Sequence, residues 1–431
     1  MTRLFGAIGI ALLVSTSAGG QEPTVDIPPI ERKAFSLGGY VELRPAIVWL
    51  DSSAALFKLR SAPGDQVESR NTQMNARLQL DAGYNRSWFS AQTRTLVEGG
   101  FANRAWSRDA SVYEAYVSVK PSPAFTLDAG KKTLKWGKGY LWNPAAFLDR
   151  AKSAEDPALA LEGFVVLSAD YIRTFGGPLQ VLSVTPVLLP VSSDLNASFG
   201  DGDHVNVAGK VYLLFWDTDI DVMYLSGGSR PARFGFDLSR NLRSNVELHA
   251  EWARVPRAVT MVLAGNDALI AREQPATNVV LGLRYLTKAN TTFIADFFHS
   301  ASGYTPAEAE QYFDLIQRGY DSLTIAGDVG LLGLARRATE AGYGRMNPMR
   351  NYAYARISQP DALGVLYLML GASAIVNLDD RSYSLLPEVQ YKPAGNLELR
   401  ALANIQRGEP RSEFGEKRAI VRLELRARYS F

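Results

Sequence analysis

The end of the chain limits the possible folds more than any other stretch. From Ala419 to Phe431 the residues alternate with a period of two: Val421, Leu423, Leu425, Ala427, Tyr429 and Phe431 share one face, and Arg422, Glu424, Arg426, Arg428 and Ser430 share the other. A helix, with its period of 3.6, would mix the two sets. In a membrane strand the facing is fixed by energy. Turning an arginine into lipid costs about 2–4 kcal/mol near the midplane.

The alternation recurs along the chain. Met74, Ala76, Leu78, Leu80 and Ala82 interleave with Asn75, Arg77, Gln79 and Asp81; Val246, Leu248, Ala250 and Trp252 interleave with Glu247, His249 and Glu251; Leu397, Leu399, Ala401, Ala403 and Ile405 share one face of a third such segment. Segments near 38–50, 88–98, 111–120, 124–135, 163–173, 178–189, 204–215, 219–227, 232–240, 277–287, 291–299, 350–358, 363–376 and 382–392 behave alike. The total is about eighteen strands, each near the 9–11 residues of a tilted membrane strand. Connections alternate in length. Short ones are expected near 85–87, 121–123, 175–177, 217–218, 241–243, 288–290, 359–361 and 393–395; long ones near 51–71, 99–110, 136–162, 190–203, 255–276, 300–349 and 407–418. Membrane barrels sort their connections this way, with short periplasmic turns and long outer loops. The expected fold is therefore all-β: a transmembrane, antiparallel, up-and-down barrel of about 18 strands, or 16, over residues 36–431. Trp49, Tyr84, Trp88, Phe125, Tyr171, Trp216, Tyr285, Tyr391 and Tyr429 sit near strand ends, as candidates for the interfacial girdles.

Composition excludes much else. The mean hydropathy of −0.08 argues against a helical membrane bundle. With no cysteine in 431 residues, disulfides, thiolate metal sites, thiol nucleophiles, Cys-linked haem and a cysteine lipid anchor are all excluded. Lys and Arg number 46 against 44 Asp and Glu, so nucleic acid is not an expected partner. At the N-terminus Arg3, the apolar run Leu4–Val14 and the small residues Ser15 to Gly20 read as a signal peptide over 1–20, cleaved after Ala18 or Gly20. Residues 21–35 would follow as a periplasmic segment. The expected location is the outer membrane.

Two segments carry a resemblance. Leu423-Glu424-Leu425-Arg426-Ala427-Arg428-Tyr429-Ser430-Phe431 resembles the targeting strand of bacterial outer-membrane proteins, which implies recognition by the barrel-assembly machinery through Phe431. Glu114-Ala115-Tyr116-Val117, then Leu127-Asp128-Ala129-Gly130-Lys131-Lys132, then Lys135-Trp136-Gly137 resembles a segment of proteobacterial porin-like barrels, including alginate-export-type relatives. In those an "EAY" strand precedes a Gly-Arg/Lys strand and a Trp-Gly loop, and here Lys131 stands where Arg is expected.

Three constellations are candidates for function. Inward faces carry Arg44, Arg77, Arg94, Glu247, Glu251, Arg400, Arg422, Glu424, Arg426 and Arg428 as expected pore-lining residues. The two chain ends are neighbours in a closed barrel, so Arg44, Arg77, Arg400 and the 422/426/428 ladder fall on one wall. They set a field across the lumen or pair among themselves. Lys135, Trp136, Lys138, Tyr140 and Trp142 form a loop that either contacts solute or packs to close the mouth. In the insertion 300–349, Thr305 and Glu308 read as a capping box, followed by the stripe Tyr312, Leu315, Ile316 and Tyr320 and by a Leu331–Ala335 stretch. This helix folds into the pore or forms an outer lid. Asp201-x-Asp203-His204 is a weak cation pattern, and Glu247, His249 and Glu251 a weak metal set. No Ser-His-acid triad is legible by spacing.

The resulting expectation is a porin or channel for small polar or anionic solutes, without cofactor and without enzymatic activity. It would be surrounded by outer-membrane lipid and lipopolysaccharide, and a homo-oligomer is open. A barrel sheath or exporter component of a larger complex is one alternative, and an outer-membrane enzyme barrel is another.

Overall fold

Inside lipid every backbone N–H and C=O must be bonded within the protein, and strands meet that condition only in a closed sheet. The computed structural model describes residues 34–61, 69–102, 105–157 and 159–431 and shows such a sheet. The expected signal peptide and all but the last two residues of the expected 21–35 segment lie outside the described residues. The strands are β1 (Phe35–Leu50), β2 (Arg70–Asn85), β3 (Phe89–Ala102), β4 (Ala105–Ser122), β5 (Phe125–Lys132) and β6 (Phe164–Thr174). They continue as β7 (Leu179–Val191), β8 (His204–Phe215), β9 (Thr218–Leu225), β10 (Arg233–Arg243), β11 (Val246–Leu263) and β12 (Leu269–Leu286). The last six are β13 (Thr292–Ser300), β14 (Asn351–Gln359), β15 (Leu368–Asn377), β16 (Tyr383–Ala394), β17 (Leu397–Arg407) and β18 (Ala419–Ser430). Each pairs antiparallel with its sequence neighbours, and β1 closes on β18, with Tyr40 opposite Ser430 and Trp49 opposite Val421. The strand number is 18.

Facing follows the alternation. On β18, Leu423 and Leu425 are 45% and 60% exposed, while Glu424 and Arg426 on the opposite face are 1% and 5% exposed. The apolar set is outside, where lipid replaces water as the solvent for these side chains. Tyr84, Trp88, Tyr171, Trp216, Tyr285, Tyr391 and Tyr429 are exposed on the outer surface, all near the short-turn end. Trp49 and Phe125, expected in the girdles as well, are only half exposed.

Two expected long loops are strand instead. Residues 99–102 and 105–110 belong to β3 and β4, and residues 255–276 to the hairpin β11–β12, paired up to Ala102 with Ala105 and Leu263 with Leu269. Both β11 and β12 have 18 residues, well beyond the 9–11 that cross a membrane. Their upper halves stand outside lipid, where nothing enforces an apolar outer face. The alternation fades there although pairing continues.

The insertion between β13 and β14 holds α2 (Pro306–Ala326) and α3 (Gly330–Ala338). The capping box forms: the Glu308 amide donates to Thr305 Oγ1 at 3.3 Å, and the Thr305 amide donates to Glu308 Oε2 at 2.8 Å. Tyr312, Leu315 and Ile316 are buried, with Tyr320 half-buried at the edge of the stripe. Gly319 lets the helices touch, since a Cβ there would lie 2.7 Å from the Leu332 amide nitrogen. The stripe packs with Leu332, Ala335, Tyr304, Tyr352 and Trp142, and with Ala55 of the short α1 (Ala55–Lys58). Trp142, rather than Trp136, is the loop aromatic beneath the insertion.

Candidate functional site: a lumen crossed by a loop

The chain leaves β5 at Lys132 and returns at Phe164; between them it crosses the inside of the barrel. Three carboxylates fix its path. Asp149 accepts the amides of Leu134, Lys135 and Trp136 at 3.1, 3.1 and 2.7 Å, turning the loop sharply as it leaves the sheet. Burial holds the Asp149 carboxyl above the usual carboxylate range, against the smaller downward pull of the three N–H bonds. Glu251 on β11 accepts the amides of Lys138 and Gly139 at 2.6 Å each, that of Ala145 at 3.1 Å and Asn143 Nδ2 at 2.8 Å. Asp296 on β13 accepts the Tyr140 amide at 3.2 Å. Gly137, at φ 87°, makes the approach to Glu251 possible, because a Cβ would stand 2.8 Å from Glu251 Oε1. The returning limb is held by β17 and β18. Asp156 accepts from Arg400 at 3.2 Å and Arg426 at 2.8 Å, and Glu155 accepts from Asn404 Nδ2 at 3.1 Å. The three anchorages, at β5, β11 and β17, lie six strands apart in a ring of 18. The loop therefore spans the lumen.

This geometry corrects several expectations. Glu251 is 1% exposed and faces the loop rather than any solute, because its oxygens already accept four donors. Trp136 and Trp142 are mostly buried, although both, with Lys135, border the cavity described below. Trp136 packs with Phe147, Leu148 and Phe164, and Trp142 stacks on Phe298 at 5.1 Å and donates from Nε1 to Asn347 at 3.1 Å. Lys138 is paired with Asp221 at 3.0 Å, and Tyr140 lies edge-on to His249 at 5.2 Å; neither lines the cavity described below. Lys135 alone of the five is exposed. His249 is bonded through Nε2 to Asp296 at 3.0 Å, so the weak metal set is occupied by protein partners.

The wall where the chain ends meet is a mixed network. Glu424 takes Arg44 at 3.0 Å, Arg426 at 2.5 Å and Arg422; Arg428 pairs with Glu42 at 2.7 Å. Arg400 bonds Glu388 at 2.8 Å, Arg94 bonds Asp81 at 2.6 Å and Glu114 at 2.9 Å, and Arg77 bonds Glu98. Glu247 lies 3.5 Å from Arg284. Of the two readings of this wall, pairing is what the geometry displays.

Between the loop and the wall is a cavity of about 1100 Å³. Arg94, Arg400 and Arg428 of the expected pore-lining set border it, whereas Arg44, Arg77, Glu247, Arg422, Glu424 and Arg426 do not. Its lining holds ten basic side chains and five acidic ones. Arg150, Lys152, Arg230, Arg233, Arg345 and Arg356 belong to it and were not singled out from the sequence. All but Arg356 lie in aperiodic segments or at a strand's first residue, where alternation gives no signal.

No family model matches the chain, and no curated protein matches it. Solved structures do. Acinetobacter baumannii OccAB1 superposes with a TM-score of 0.52 at 10% identity, covering 92% of this chain and 96% of that one. Pseudomonas aeruginosa OpdQ gives 0.51 at 10% identity over 92% and 97%. The outer membrane protein opdK from Pseudomonas aeruginosa gives 0.50 at 11% identity over 92% and 99%. At such identities the likeness establishes a shared fold.

Proposed function

We propose that this chain is an outer-membrane channel that passes small polar solutes, anions in preference to cations, through the space between the crossing loop and the wall. The observation that carries this reading is the cavity lining, whose basic side chains include Lys152, Arg230, Arg233 and Arg345 with no ion pair among the described residues, in a chain whose net charge is only +2. Low-dielectric walls focus that excess into a positive potential along the path of an ion. The loop also argues against a sheath, since a lumen spanned by chain leaves no bore for a second polypeptide. The buried His249–Asp296 pair is covered by Tyr140 and lends no support to an enzyme barrel. Purified protein in a planar bilayer under a KCl gradient should conduct with a reversal potential on the anion side. Absence of conductance would end the channel reading, and a cation-side potential would end the anion preference.

A further inference from the structure

Most arginines of this lumen face a carboxylate. Three that border the cavity do not: Arg345, which donates instead to the carbonyls of Ser302 and Pro348, and the pair Arg230 and Arg233. Arg230, in the connection between β9 and β10, and Arg233, the first residue of β10, have no ion pair among the described residues, and both border the cavity. Arg150 of the crossing loop borders it beside them and has a single acidic partner, Glu162, at 3.1 Å. Each guanidinium lies on a different buried phenylalanine: Arg230 over Phe199 at 4.1 Å, Arg150 over Phe164 at 4.7 Å and Arg233 over Phe147 at 5.9 Å. Phe164 and Phe199 pack edge to face at 5.2 Å, so the bed is continuous.

The support is rigid. Asn206, fully buried, holds the turn before Arg230 through Ser229, receiving its amide at 3.2 Å and donating to its Oγ at 3.0 Å. Asn196 ties the Phe199 loop to the sheet, accepting from the Val165 amide at 2.8 Å and donating to Pro190 O at 2.7 Å. Gly200 leaves room for the Arg230 stem, since a Cβ there would lie 2.9 Å from Arg230 Cγ. Burial, and then the charges of Arg233 and Arg150, pull Arg230 down to about 10. Three like charges are thus held close together and partly out of water. A guanidinium resting its face on a ring can turn its edge to the paired oxygens of carboxylate, phosphate or sulfate. Arg150 already commits part of its edge to Glu162 O at 3.2 Å and Ser198 Oγ at 3.0 Å, and Arg233 Nε donates to Pro231 O at 3.3 Å, so Arg230 and the remaining Arg233 donors have the most edge to offer.

We infer that Arg150, Arg230 and Arg233 form a binding site for an oxyanion at the long-loop mouth of the cavity. It deepens the channel reading and rests on it, because on that reading an anion passing through the cavity comes against these residues, one of them on the crossing loop itself.

Direct titration separates the two claims. Folded barrel in detergent, at fixed ionic strength, is titrated by calorimetry with inorganic phosphate, with acetate and with chloride. Saturable binding of phosphate or acetate, at least tenfold tighter than chloride, is expected; the tighter of the two assigns the source as phosphoryl or carboxylate. Arg230→Gln with Arg233→Gln should weaken it tenfold or more, whereas Arg318→Gln on the outer face of α2 should leave it unchanged. Arg230→Lys, which keeps the charge and loses the planar fork, should weaken it several-fold and serves if the double variant does not fold. No preference over chloride, or binding unaffected by these substitutions, overturns the site. Binding without bilayer conductance would remove the channel reading and leave the site standing. Anion-selective conductance without saturable binding would do the reverse.

Discussion

Two long connections meet near Trp142 and are held in opposite ways. The 301–350 insertion is a small hydrophobic assembly: Leu315, Ile316, Leu332 and Tyr304 are 0–1% exposed, and its helices shelter each other. The crossing loop has an apolar anchor around Phe147 and Leu148, but its route is set by carboxylates that gather its amides. A hydrophobic assembly can sit over a mouth and keep its shape wherever it is tethered. A segment that traverses a polar lumen has little apolar surface to press against along much of its way, so charge and hydrogen bonding must guide it. The two should therefore respond differently to excision, to substitution and to pH.

Excision should separate them most. The insertion contributes only Arg345, Met346 and Asn347 to the cavity lining, whereas the crossing loop supplies much of it. Replacing 138–157 with a short Gly-Ser turn should raise single-channel conductance several-fold and weaken ion discrimination. Replacing 303–345 should change conductance far less. Equal increases would break the contrast and make the insertion a plug.

Single substitutions come next. Glu251→Ala leaves four donors without their acceptor, and each buried donor left unbonded costs about 1–3 kcal/mol. The loop should detach locally, with noisy, flickering current as the readout. Leu315→Ala should cost the insertion about 2–5 kcal/mol, seen as faster hydrogen exchange in α2 with a steady current. Flicker from Leu315→Ala would show that the two segments move as one.

The smallest effect expected is on pH. Glu413, in the β17–β18 connection, is pushed up from 4.5 to about 6 by burial, while it accepts from Tyr352 and from Asn377 at 3.0 Å. The folded form binds the proton more tightly than the unfolded one. Its contribution is therefore complete below pH 4.5 and falls by about 2 kcal/mol as pH rises through 6. Hydrogen exchange beside Tyr352, corrected for intrinsic rates, should accelerate over that interval. In Glu413→Gln the acceleration should vanish, and its persistence would place the titration elsewhere.

The sequence was informative where physics imposes a period. Lipid on one side and water on the other write alternation into β18, and all eight short connections fall within a few residues of their expected places. The capping box at Thr305 was legible because its two partners are three residues apart. Beyond the lipid the same strands lose the constraint, and the tops of β3–β4 and β11–β12 read as loops. The crossing loop was hardest. Glu251 meets Lys138 from 113 positions away, and Asp156 meets Arg426 from 270, and neither distance leaves a mark in local spacing. The arginines at 422, 426 and 428 alternate with the exposed apolar residues of β18, which the sequence displays; that Glu42 and Asp156 come to pair with them is set by distant segments and leaves no local pattern.

The β1–β18 seam bears on how such a chain reaches this state. Tyr40 meets Ser430 across nearly the whole described length, so the seam can zip only after the final strand exists. Contacts of such long sequence separation delay folding, because the entropy of bringing distant segments together is lost before any bond compensates for it. Glu155 and Asp156 find their arginine and asparagine partners only on β17 and β18, so the returning limb of the crossing loop also waits for the last two strands. Closing the ring and fastening the loop across it are then late events that share the same strands. A chain stopped before β17 would hold a loop fastened at β11 and β13 but loose in its returning limb, beside an open sheet edge, the state most exposed to pairing with another chain.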